Sequence, residues 1–236
     1  WCIASLPIPA WARTVFPGIP EEEAMDKLWD AILETVRVQG DGRAVERWQQ
    51  HMETIQRRTE KLNELRLASL HYTNSLGTDL TIRLPEDHLW AGGGTNCKAG
   101  PFFIANMPTE EIFTAPLRDG IGKIVEAHAK KGEDILKAAI SEDEGASRFG
   151  EVALVPYDSP ISNQKILYYN TLFDENASCH LAFGEAYPEC IRGGEHMTKE
   201  ELKARGLNDS VTHVDFMVGT ADLSITGMTY DGKEVP

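Results

Sequence analysis

Apolar side chains recur at helical spacing through Ala24, Leu28, Ala31, Ile32 and Val36, which predicts an amphipathic helix beginning behind Pro20. Proline near the first helical position, followed by Glu21, Glu22 and Glu23 at the positive end of the helix dipole, is a start signature. Gly40 is the expected stop. A second helix is predicted over 43–67, with Trp48, Ile55 and Leu62 inward and a charged face carrying Glu46, Arg47, Arg57, Arg58, Glu60 and Lys61. From Ala68 the pattern shifts to short alternating runs. Strands are expected over 70–73 and 79–84, around a turn at 75–77. A third strand is expected over 102–106.

Further along, 133–140 reads as a helix, and Ser141 with Glu144 forms a capping-box pattern that predicts another short helix to Arg148. Strands are expected over 151–155, 166–170, 211–218 and 222–230, with a helix over 198–205. Helices and strands alternate without internal repeats, so the expected class is α/β, a mixed sheet with flanking helices. The triple Gly92, Gly93 and Gly94 lacks the Lys-Ser/Thr pair and the helix of a phosphate-binding loop, so it reads as a turn.

Composition narrows the function. The 236 residues carry 23 Lys plus Arg against 37 Asp plus Glu, a net charge of -14. Such a surface repels phosphate backbones and anionic lipid, which argues against nucleic-acid and membrane partners. No run of apolar residues is long enough to span a bilayer. Cys2, Cys97, Cys179 and Cys190 form no C-x-x-C pair and read as free thiols of a reducing, cytoplasmic compartment. The first residue is Trp1, and the segment 1–12 is apolar and proline-punctuated, so it reads as the interior of a longer chain.

Three patterns gather metal-friendly groups. His213 and Asp215 lie two apart on a predicted strand, so imidazole and carboxylate share a face. A satisfied histidine beside a surface aspartate is the plainer alternative. Asp174, Glu175 and His180 stand close in sequence among small residues, with helix capping by Asp174 or Asn176 as the alternative. Glu111 and Glu151 sit in apolar surroundings, where a carboxylate is costly unless paired or metal-bound. Together these oxygen and nitrogen donors suit Zn²⁺, Mn²⁺ or Co²⁺, in a two-metal arrangement. His51, His71, His88, His128 and His196 fit no ligand pattern.

Sequence spacing alone does not assemble these patches, but a resemblance does. The segments 106–116, 150–162, 172–184 and 213–219 resemble, in that order, the signature of the M29 metallo-aminopeptidases of the thermophilic aminopeptidase T type. The segment 72–80 matches too, and the likeness runs the length of the chain. The resemblance implies two divalent ions (Zn, Co, Mn or Mg) held by Glu111, Glu151, Glu175, His180, His213 and Asp215. It favours Glu111 over its neighbour Glu110, because the family keeps the glutamate before the Ile-Phe pair. Tyr187 matches an active-site tyrosine that could hydrogen-bond a developing oxyanion. Glu151 is expected to bridge the metals, and Glu111 to act as ligand or base.

The same resemblance implies peptide substrates, a homodimer, and an exopeptidase removing N-terminal residues through a metal-activated water. By this reading 1–236 is the catalytic domain, the family's N-terminal domain is missing, and a longer family segment is absent near 120–122. One more strand is expected beyond Pro236. The alternatives are a fragment that binds metal or peptide without turnover, and an interaction module dimerising through the two front helices.

Overall fold

The computed structural model describes residues 1–236, the side chain of Ile121 apart. The chain forms two compact units. One comprises Trp1–Arg58, Gly92–Glu111 and Val155–Cys179; the other comprises Thr59–Ala91, Ile112–Leu154 and His180–Pro236.

The first unit is built on helices. The helix Glu21–Thr35 buries Ala24, Leu28, Ala31 and Ile32, the stripe expected from its 3.6-residue period. These side chains meet Ala12 of the helix Pro9–Val15 and Ile161, Tyr168, Leu172 and Phe173 from the third segment. The Tyr168 and Phe173 rings stack at 4.8 Å. The helix ends at Thr35, five residues before Gly40. Arg37 takes φ 60°, and its N–H bonds to Glu34 O, so the left-handed residue makes the stop. Arg37 tolerates that conformation while its guanidinium is held by the buried carboxylate of Glu110 at 2.7 Å. In the helix Ala44–Leu65, Ile55 is buried and Trp48 half-buried, as the pattern predicts.

The expected strand over 166–170 is absent. Asp174 accepts hydrogen bonds from the backbone N–H groups of Tyr168 and Asn170, which folds the segment into a loop. Asp174 thus braces the loop ahead of its own helix, and its side chain caps neither the helix Thr171–Asp174 nor the turn Glu175–Ala177. The predicted strand over 102–106 is broken into Phe102–Phe103, paired with Thr95–Asn96, and Asn106–Met107, paired in parallel with Ile3–Ala4.

The second unit carries two sheets. One orders the strands Glu234–Val235, Ser224–Thr229, Leu67–Thr73 and Asp79–Arg83. The other orders His213–Met217, His180–Gly184, Phe149–Leu154, Ile112–Thr114 and Ala91–Gly92. Its first three pairings are antiparallel. With helices beside these sheets the α/β expectation holds.

The helix predicted over 141–148 does not form. Asp143 accepts instead from the N–H of Ala146 and Val211 and from Ser210 Oγ, which ties the segment to the loop before His213. The capping box of this unit lies elsewhere: Thr198 and Glu201 close it at the start of the helix Lys199–Ala204. The break expected at 120–122 falls on Ile121, whose side chain lies outside the described residues. No helix among the described residues is long and apolar enough to cross a membrane.

Candidate metal centre

Directly paired residues of a sheet point to the same face. The register therefore sets Phe113, Ala153, His180 and Met217 in one row and Glu151, Ala182 and Asp215 in the next. His213, opposite Gly184, completes the array. The polar groups of three strands share this face, separated by alanine and glycine that leave room between them. The reverse face is apolar: Val152, Leu181 and Phe216 stand opposite one another.

A bulge keeps the two faces distinct. Glu151 opposes Ala182, but the next partner of Phe183 is Phe149, so Gly150 is an extra, unpaired residue. The extra residue flips Phe149 onto the apolar face, where its ring meets Phe216, while Glu151 stays among the polar groups. Only glycine fits there, because a Cβ on Gly150 would lie 2.2 Å from Glu185 O.

The donor atoms converge. Glu151 Oε1 lies 3.4 Å from His180 Nε2, and Glu151 Oε2 lies 3.6 Å from His213 Nε2. His213 Nε2 is also 3.3 Å from Asp215 Oδ1. One carboxylate thus presents a separate oxygen to each imidazole. Ligand atoms of Glu151, His213 and Asp215 all lie within 4.8 Å of one another. His180 and Glu151 are buried, and His213 and Asp215 are half-buried.

Burial opposes a charge on His213, but the Asp215 hydrogen bond and the Glu151 charge prevail and push its pKa up to about 9. Burial likewise opposes ionisation of Asp215, yet the hydrogen bond and charge of His213 hold its pKa below the usual value. The ring nitrogen Nδ1 of His213 donates to Glu185 O at 2.8 Å, which leaves Nε2 aimed at the carboxylates. Tyr187 lays its ring 4.9 Å from that of His213 and 6.1 Å from that of Phe113.

These residues fit a divalent cation. Metal bonds of 2.0–2.2 Å in tetrahedral geometry place ligand atoms about 3.3–3.6 Å apart. The three nitrogen-to-oxygen separations, 3.3, 3.4 and 3.6 Å, fall in that range. The donors are two imidazoles and two carboxylates, a set suited to borderline divalent ions.

The remaining expected ligands belong to the first unit. Glu111 is buried directly before the strand Ile112–Thr114, and Glu175 opens the turn Glu175–Ala177 with its Oε1 3.4 Å from Asn176 Nδ2. Asn176 Oδ1 accepts from Glu110 N at 2.7 Å. The side chain of Glu110 is committed to Arg37, which His51 Nδ1 also contacts at 3.0 Å. Neither the Glu185 carbonyl nor the Gly150 bulge was foreseeable from sequence. A backbone acceptor has no side-chain signature, and Gly150 falls just outside the strand expected over 151–155, with nothing in the linear pattern to mark a bulge.

Comparison with known proteins agrees with this geometry. The family model described as thermophilic metalloprotease (M29) matches residues 1–121 and 120–236. The chain is 48% identical over 262 aligned positions to Aminopeptidase AmpS of Bacillus subtilis (strain 168), covering 100% of this chain and 63% of that protein. It is 42% identical to Aminopeptidase T of Thermus aquaticus, with the same coverage. The solved structure of wild-type AmpT from Thermus thermophilus superposes with a TM-score of 0.90 at 40% identity, over 100% of this chain and 63% of that one. The chain therefore spans about 63% of the length of the relatives it matches. A family match over the whole sequence, on a sheet whose polar face gathers cation donors, places this chain in the M29 metalloprotease family.

Proposed function

We propose that the chain carries the metal centre of an aminopeptidase, a hydrolase that removes N-terminal residues from peptides. The observation that carries the reading is Glu151, whose two oxygens each face a histidine from a different strand or strand end. Bound divalent ions supply Lewis acidity at a carbonyl and a nucleophile at neutral pH. The chain's own residues hold and orient. His180, His213 and Asp215 would present ligand atoms, and Glu151, with one oxygen toward each histidine, would serve both ions. The hydroxyl of Tyr187 donates to the developing oxyanion. Glu111 is assigned as a further ligand or as carrier of the proton to the leaving amine, and Glu175 as a further ligand. Two facts support Glu111 over Glu110. Glu110 is already paired with Arg37, and Glu111 has the sequence parity of Phe113, which lies on the polar face.

The proposal takes two ions per chain from Zn²⁺, Co²⁺, Mn²⁺ or Mg²⁺, peptide substrates, a homodimer and a cytoplasmic location. The four free cysteines support a reducing compartment. We further propose that relatives carry an added segment near 120–122, which the two-piece family match and the 262 aligned positions for 236 residues support. The test is hydrolysis of an aminoacyl chromogenic substrate, lost with chelator and restored by Co²⁺ or Zn²⁺. Two ions bound per chain without turnover would favour the alternative, a fragment that binds metal but does not hydrolyse.

A further inference from the structure

The orientation of His213 depends on a backbone carbonyl. Glu185 O accepts its Nδ1–H at 2.8 Å, at the point where the chain leaves the strand His180–Gly184. Glu185 N donates to Thr212 O at 2.7 Å, which anchors the preceding peptide, but the Glu185 carbonyl lies beyond the strand ladder, and further bonds must hold the peptide groups beside it.

Asn208 does so from both sides. Its buried side chain donates from Nδ2 to Gly184 O at 2.6 Å and to Gly145 O at 2.8 Å. Its own backbone O accepts from Ala186 N at 3.1 Å. The residues before and after Glu185 are therefore both tied to Asn208. The packing leaves no slack: a Cβ on Gly184 would lie 2.1 Å from Thr212 O, and one on Gly145 would lie 1.9 Å from Asp209 O. The donor set is specific to this residue type. A primary amide offers two N–H groups from one nitrogen without charge. Aspartate at the same length offers none, and serine offers one.

We infer that Asn208 is a positioning residue of the metal centre, which aims His213 Nε2 at Glu151 and Asp215 by fixing the Glu185 carbonyl. It acts through the peptide groups of Gly184 and Ala186 and touches no reacting atom. The inference rests on His213 being a ligand.

The experiment compares the wild-type chain with Asn208→Asp, which is isosteric but has no donors, and with Asn208→Ser. Two readouts are used: Zn²⁺ affinity by chelator competition, and the His213 Nδ1–H resonance of the metal-free chain by imidazole ¹⁵N NMR. Asn208→Asp should weaken Zn²⁺ binding about 10- to 100-fold, the range typical for partners that orient a ligand, and should abolish the protected Nδ1–H signal. Asn208→Ser should fall between, and it replaces the Asp variant if that chain fails to fold. Thr198→Ala, which removes the cap bonded to Glu201 and leaves the Asn208 amide in place, controls for lost stability and should leave both readouts unchanged. Wild-type Zn²⁺ affinity and an intact Nδ1–H signal in a folded Asn208→Asp chain would overturn the inference. If the wild-type chain itself binds no Zn²⁺, the reading of the centre fails, and the Nδ1–H signal alone decides the role of Asn208.

Discussion

A carboxylate has two oxygens, and Glu151 turns each toward a different imidazole, at 3.4 and 3.6 Å. Replacing it by glutamine leaves the size unchanged but exchanges one acceptor for a donor. Glu151→Gln should therefore lower metal-dependent hydrolysis by at least about 100-fold, the upper end for a lost supporting partner, with an unaltered circular dichroism spectrum. Undiminished turnover would remove Glu151 from the centre. His51 makes a different residue-scale case. Burial holds its pKa down at about 4, and the nearby Arg37 charge acts in the same direction. Its neutral ring accepts from Arg37 at Nδ1 and donates from Nε2 to Thr109 O at 2.7 Å. The unfolded chain binds this proton below about 6.5 while the folded chain refuses it until about 4. The stability from His51 is thus complete above pH 6.5 and is lost as the pH falls toward 4. Thermal unfolding of His51→Gln should show a shallower fall over that window, by up to about one proton.

At the scale of elements, local pattern predicts existence better than ends. The helix Glu21–Thr35 follows from its apolar stripe, but its stop is set by Arg37, whose partner Glu110 lies 73 residues away. The strand Phe149–Leu154 follows from its apolar run, while its bulge is set by the neighbouring strand. Gly150→Ala should cost about 1–3 kcal/mol, because the added methyl meets Glu185 O and the backbone must shift. Chemical denaturation measures the loss, and weakened metal binding should accompany it, since the bulge orients Glu151. Thr198→Ala, by contrast, removes a cap of an exposed short helix and should cost about 1 kcal/mol without changing metal affinity. The segments 141–148 and 166–170 depart from their local reading for one shared reason. Asp143 and Asp174 each gather backbone N–H groups, which favours a loop over a repeating ladder.

For the molecule as a whole, metal, proton and stability are linked. Against burial, Asp215 and Glu151 hold the pKa of His213 up at about 9 without a cation, so under its proposed role as a ligand Nε2 must shed a proton on metal binding. Metal binding at pH 7 should thus release about one proton from His213, measurable by calorimetry in buffers of different ionisation enthalpy. A cation at 100 times its dissociation constant should stabilise the fold by about 2.7 kcal/mol, seen as a lower melting temperature on adding chelator. The charge of -14 belongs to this scale too: it sets a general repulsion toward anionic surfaces and does not describe the site.

The linear pattern was enough for the α/β class, for the helix Glu21–Thr35 with its buried stripe and, through ordered motifs, for the family and a set of candidate donor residues. Those depend on side-chain type and short-range spacing, which a linear chain carries in full. Only folding brings Glu151, His180, His213 and Asp215 face to face, lets Gly150 separate the polar face from the apolar one, and bonds Asn208 to Gly184 and Ala186 on either side of Glu185. These depend on strand register and on backbone carbonyls. A one-residue slip in register would send every donor on that strand to the other face, and a carbonyl is the same group in every residue.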